Sequence, residues 1–129
     1  MHKNFLCLAS VLGALSVVLG AFAAHGLKQT VPESSVNIFE TGVRYQFYHV
    51  FAIALCGVVY QNFSNNAILW AGNLFLLGII FFSGSLYALT FTTAKGLEGF
   101  RWLGPLTPIG GLFFIAGWIS LAIGFLKKS

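Results

Sequence analysis

Eight side chains in this largely apolar sequence have the chemistry to hold a ligand: His25, Arg44, Tyr45, His49, Ser83, Ser85, Tyr87 and Thr107. Two imidazoles, a guanidinium, two phenols and three aliphatic hydroxyls form a set of hydrogen-bond donors and acceptors. They include no carboxylate pair and no nucleophile–base spacing, so no catalytic residue is assigned and no enzyme is expected. The most informative member is His49. The clean apolar run after it, Val50 to Tyr60, is too short to cross a bilayer, because a spanning helix needs about 20 residues. The following turn is polar, so the span must be completed backwards. That brings His49, and with it Arg44, inside the membrane boundary, where an ionisable group is a functional candidate by default.

Each candidate has a plainer alternative. His49 suits proton handling or ligand binding, or equally a neutral imidazole that fixes helix packing. Arg44 serves as a buried counter-ion or anion clamp, or snorkels to the headgroups along its own stem. Glu40 and Arg44 are spaced i,i+4, as are Tyr45 and His49, so each pair shares a helix face. His25 and His49 together could ligate a haem or a metal. Nothing else in the sequence supports that pairing, and neither a cofactor nor a metal is expected. Glu98 and Arg101 read as solvated connector residues. Cys7 and Cys56 each sit in an apolar segment without C-x-x-C spacing and read as inert thiols.

The elements that position these groups are helices in lipid. Of 129 residues, 57% are hydrophobic and only 8% charged, against about 25% charged in soluble domains. A chain of mean hydropathy +0.85 is a single integral membrane domain. The net charge of +4 is scattered through the chain, so it does not form a nucleic-acid stripe. Four transmembrane helices are predicted, over residues 5–26, 41–61, 67–92 and 108–126. The first also resembles a signal peptide, with Lys3 and an Ala21-Phe22-Ala23 site, but its apolar run is longer than a usual h-region and it is read as retained. Thr30-Val31-Pro32-Glu33 fits a capping box. Val36, Phe39, Val43, Phe47 and Val50 follow at helical spacing, so a short interfacial helical segment over 31–41 leads into helix two, with Gly42 the candidate bend. Thr107-Pro108 marks the expected start of helix four.

Small residues line one face of the first helix, Gly13 and Gly20 among them. Gly110, Gly117 and Gly124 recur every seven residues in the last. Rows of this kind let helix backbones approach closely in lipid, and the simplest pairing sets the two rows against each other. Four antiparallel crossings put both termini and the Asn-rich turn on one side of the membrane. His25, Glu40, Arg44, Glu98 and Arg101 fall on the other, which makes that half of the bundle the polar one.

The same residues carry a resemblance. Leu19 to His25, Thr41 to His49, Phe82 to Tyr87, and Thr107 to Gly111 with Gly117-Trp118 are similar, in order, to the motifs of the YgdD/YwdK-like small multi-pass bacterial membrane proteins, a group of unknown function. The resemblance implies a cell-membrane location with cytoplasmic termini. It brings no catalytic or ligand residue with it. The expectation is therefore an all-α four-helix transmembrane bundle of the cell (inner) membrane. It would bind a membrane lipid, a small amphiphile or a membrane-protein partner through its polar half, or associate with itself, and would not bind nucleic acid. A transporter or channel component with a path past His49 is the alternative.

Overall fold

The computed structural model describes residues 1–96 and 102–127. Four helices are long and apolar enough to span a membrane: α1 (Lys3–Thr30), α2 (Glu33–Val59), α3 (Asn66–Ala94) and α4 (Leu103–Leu126). Consecutive helices are antiparallel. α1 packs on α2, α2 on α3 and α3 on α4.

Their ends follow from local chemistry. His2 caps α1 by accepting the Phe5 N–H at its Nδ1 (3.1 Å), while its own N–H donates to Gly57 O at the end of α2 (2.9 Å). α1 continues beyond residue 26 through a π turn, Ala23–Leu27, and stops at Val31. Val31 is extended, as the residue before a proline is biased to be. Asn65 caps α3, its Oδ1 accepting from the N–H groups of Ala67 and Ile68, while its Nδ2 donates to Gly124 O in α4 (3.0 Å).

The capping box at Thr30–Glu33 does not form. Thr30 Oγ1 donates back to Leu27 O (3.1 Å) and α2 starts after Pro32 without a side-chain cap. Of the segment over 31–41, residues 33–41 are helical and run on as the first part of α2 without a break at Gly42, while Val31 and Pro32 are extended. It buries Val36 and Phe39 against Ala23 and Leu27 of α1, on the face that the apolar spacing marks. α4 starts at Leu103, not at Pro108. Proline inside a helix loses one N–H bond and crowds the carbonyl four residues back. Here that residue is Gly104, and the first turns form before the proline all the same. Glu98, Arg101 and Lys128 lie outside the described residues.

The glycine rows do not meet. Gly13 and Gly20 face Val50 and Val43 of α2. Gly110, Gly117 and Gly124 face Phe82, Phe75 and Ile68 of α3. Those three large residues are themselves spaced by seven, so antiparallel α3 and α4 match a bulky side chain to each missing one. Two small faces, by contrast, would leave lost contacts wherever they failed to close. A second π turn, Ile79–Ser83, interrupts α3 at Phe82.

Candidate functional site

Near the middle of the helices, α2 and α4 diverge enough to leave a lateral groove of about 540 Å³. Tyr45, Tyr48 and His49 of α2 line it, with Phe82 of α3 and Gly111, Phe114, Ile115 and Trp118 of α4. Its depth follows from contacts. Gly13 and Gly20 of α1 oppose Val50 and Val43, so residues 45–49 stand level with the centre of α1.

His49 forms the back wall and is only 5% exposed. Its ring stacks flat on Phe114, with centroids 3.6 Å apart and planes 7° from parallel. The Trp118 indole N–H donates to His49 Nε2 (3.1 Å), and His49 Nδ1 lies 2.7 Å from Tyr45 O. An indole N–H only donates and a carbonyl only accepts. The proton of the imidazole is therefore on Nδ1, and the ring is neutral with both nitrogens engaged. Tyr45 leans on Phe82 (4.7 Å) and stands edge-on to Tyr48 (5.6 Å). Both phenols are exposed on the outer side of the groove. Among the described residues, neither hydroxyl has a hydrogen-bond partner.

The remaining polar residues form bridges between helices. Gln46, 1% exposed, donates from Nε2 to Ser16 Oγ of α1 (2.8 Å) and accepts at Oε1 from Tyr87 OH of α3 (2.6 Å). Ser16 in turn donates to Leu12 O (2.7 Å), so one chain of bonds ties α1, α2 and α3. Ser83 Oγ donates to Gly42 O (2.7 Å), joining α3 to α2. Ser85 and Thr107 share a hydrogen bond of 2.6 Å between their hydroxyls, joining α3 to α4. Among the described residues, no buried side-chain nitrogen or oxygen lacks a partner. This is what hydrocarbon demands of polar groups.

The eight sequence candidates therefore do not converge on one cavity. Tyr45 and His49 meet in the groove. Ser83 and Tyr87 brace α3 against α2, and Ser85 and Thr107 brace α3 against α4. His25 is exposed on the first π turn, and Arg44 is exposed on α2. Glu40 does not pair with Arg44; it lines a separate surface hollow with Lys28, Glu33 and Asn37. Thr107 is an internal residue of α4 and caps nothing, since the helix begins a turn earlier. Gln46, Phe114 and Trp118 are the contributors that sequence reasoning left without a role. An amide in the middle of a span is the signal that could have found Gln46, since hydrocarbon penalises an unpaired amide whether or not it titrates. Among the described residues, no cluster of three or more His, Cys, Asp or Glu could hold a metal ion.

Comparison with known proteins gives a consistent result. A family model described as "Protein of unknown function (DUF423)" matches residues 19–111. A UPF0382 membrane protein of Staphylococcus haemolyticus is 43% identical over 125 residues, which is 97% of each chain. A UPF0382 membrane protein of Haemophilus influenzae is 39% identical, over 99% of this chain and 98% of its own. The UPF0382 membrane protein YwdK of Bacillus subtilis is 36% identical, over 97% and 98% respectively. No solved structure matches significantly.

Proposed function

From the premise that this chain belongs to the DUF423 family of membrane proteins, we propose that it is a non-catalytic binding protein of the cell membrane. Its ligand is a flat, mostly apolar amphiphile held in the lateral groove between α2 and α4. The observation that carries this reading is the pair of Tyr45 and Tyr48 hydroxyls at mid-span, without a hydrogen-bond partner among the described residues, at the mouth of an aromatic groove. Tyrosine in membrane proteins favours the headgroup level, where its hydroxyl is wet. At mid-span an unpaired hydroxyl costs free energy, and a ligand oxygen reaching the two phenols removes that cost. Stacked Phe114 and His49, with Phe82 and Trp118, offer flat surfaces to a ring or a polyene. His49 acts as a positioning residue: both of its nitrogens are engaged, which favours a fixed wall over a proton path.

The test is mass spectrometry of lipophilic molecules that co-purify with the chain in mild detergent. Wild type is compared with Gly111→Phe, which fills the groove from a position where a Cβ has ordinary contact room. One species enriched with wild type and depleted from the variant is the expected result. Identical lipid profiles from two equally stable proteins would refute the groove as a ligand site.

A further inference from the structure

A second hollow, independent of the groove, lies on the opposite flank of the α3–α4 seam, towards the end of the bundle that carries the termini. Its volume is about 490 Å³. Small residues, Ala67, Ala116 and Ser120, make its floor, and Ser120 Oγ is tied down to Ala67 O (2.7 Å). Ile119 and Ile123 form an apolar wall along α4. Asn66, the first residue of α3, and Lys127, the residue after α4, stand at its mouth. Trp70, 64% exposed, lies one turn deeper than Asn66 on the same face. Among the described residues, neither the Lys127 ammonium nor the Trp70 indole N–H has a hydrogen-bond or ion-pair partner.

We propose that this hollow is a binding site for one phospholipid with an anionic headgroup. The phosphate would lie against Lys127, Asn66 and the Trp70 N–H, and one acyl chain would run along Ile123 and Ile119 over the small-residue floor. Charge complementarity selects this occupant. The two acidic residues among those described, Glu33 and Glu40, both lie in the first turns of α2, away from the terminal side. Among the described residues, the mouth therefore carries a cation with no Asp or Glu beside it. Its polar groups sit at the helix ends, where headgroups lie, and its apolar wall runs inward, where acyl chains lie. A polar partner peptide would leave that apolar wall facing nothing suitable.

Native mass spectrometry of the intact wild-type chain, released from detergent carrying equal phosphatidylglycerol and phosphatidylcholine, provides the test. One basic residue near an anionic surface contributes about 1 kcal/mol, which is about a fivefold preference for phosphatidylglycerol. Lys127→Gln should abolish that preference, Lys127→Arg should keep it, and Lys3→Gln, the same charge change elsewhere on that side, should leave it intact. Ala116→Trp, which fills the floor without touching the charge, should also abolish it. Equal retention of the two lipids by wild type, or equal loss in Lys3→Gln and Lys127→Gln, would overturn the site. Displacement of the lipid by soluble glycerol phosphate would overturn the assignment of a lipid over a free phosphate. Loss of ligand from the mid-span groove would leave this outcome unchanged, because none of its lining residues is shared.

Discussion

Gly110 and Gly111 are neighbours in one helix turn, and the structure requires opposite outcomes when each becomes alanine. A Cβ on Gly110 would lie 2.7 Å from Phe82 Cα. That atom is backbone and cannot rotate away, so α3 and α4 must part by roughly 1 Å to restore ordinary contact. A gap of about 0.5–1 Å forfeits a quarter to a half of each pairwise dispersion contact along the seam. Overpacking of this kind costs about 1–3 kcal/mol, and a backbone obstacle puts Gly110→Ala at the upper end. The intrinsic gain of about 1 kcal/mol for replacing a helical glycine with alanine offsets only part of it. At Gly111 the nearest atom to a new Cβ is Phe82 Cδ2, at 4.0 Å, so the same intrinsic gain is kept. Gly110→Ala should therefore lower stability by about 2 kcal/mol and Gly111→Ala should raise it by up to about 1 kcal/mol. Reversible unfolding in mixed micelles, followed by helical circular dichroism against the mole fraction of denaturing detergent, measures both. Equal effects of the two substitutions, or a stable Gly110→Ala, would refute the close approach of α4 to the π turn of α3.

Other predictions rest on separate contacts. Gln46→Leu should cost about 1 kcal/mol by stranding the Tyr87 hydroxyl, and a double-mutant cycle with Tyr87→Phe should return a coupling of about 0.6–1.7 kcal/mol; a coupling of zero would remove that bridge from the account. Asn65→Ala should destabilise by about 1–2 kcal/mol in the same unfolding assay, through loss of the α3 cap and of the tie to Gly124. Cys7 is exposed and Cys56 is buried, so a lipid-soluble maleimide should label one thiol per folded chain in detergent and two after denaturation. Trp118→Phe deletes the donor to His49 Nε2; the imidazole NMR resonances should shift away from a single Nδ1–H tautomer, while His49 in wild type should show that tautomer alone.

Four spans were legible because apolar runs separated by polar turns leave a bilayer-crossing chain few alternatives. The apolar stripe of Val36, Phe39, Val43, Phe47 and Val50 was legible from helical spacing alone; all are buried except Phe47, which is half-buried. Helix ends were less legible. The sequence around Thr30 satisfies a capping box, yet α1 continues through the π turn to end at Thr30, and the threonine bonds backwards instead. The glycine heptad in α4 correctly marked a close approach but not its partner. Only the matching heptad of Ile68, Phe75 and Phe82 in α3 identifies it, and bulky apolar residues in a membrane helix do not stand out. His49 was recognised because it titrates, whereas Gln46, bonded to both α1 and α3, stayed in the background because it does not. Hydrocarbon makes little distinction between the two: each must be satisfied internally.

The extra residue held in the Ile79–Ser83 turn sets the phase of everything after it in α3. Were that turn to tighten to ordinary α-helix with every residue kept, Gly84–Ala94 would rotate by about 100°. Ser85 would swing off Thr107 and Tyr87 off Gln46 together, although neither residue had been altered. The helix thus works as two halves on one axis, and one wide turn keeps them aimed.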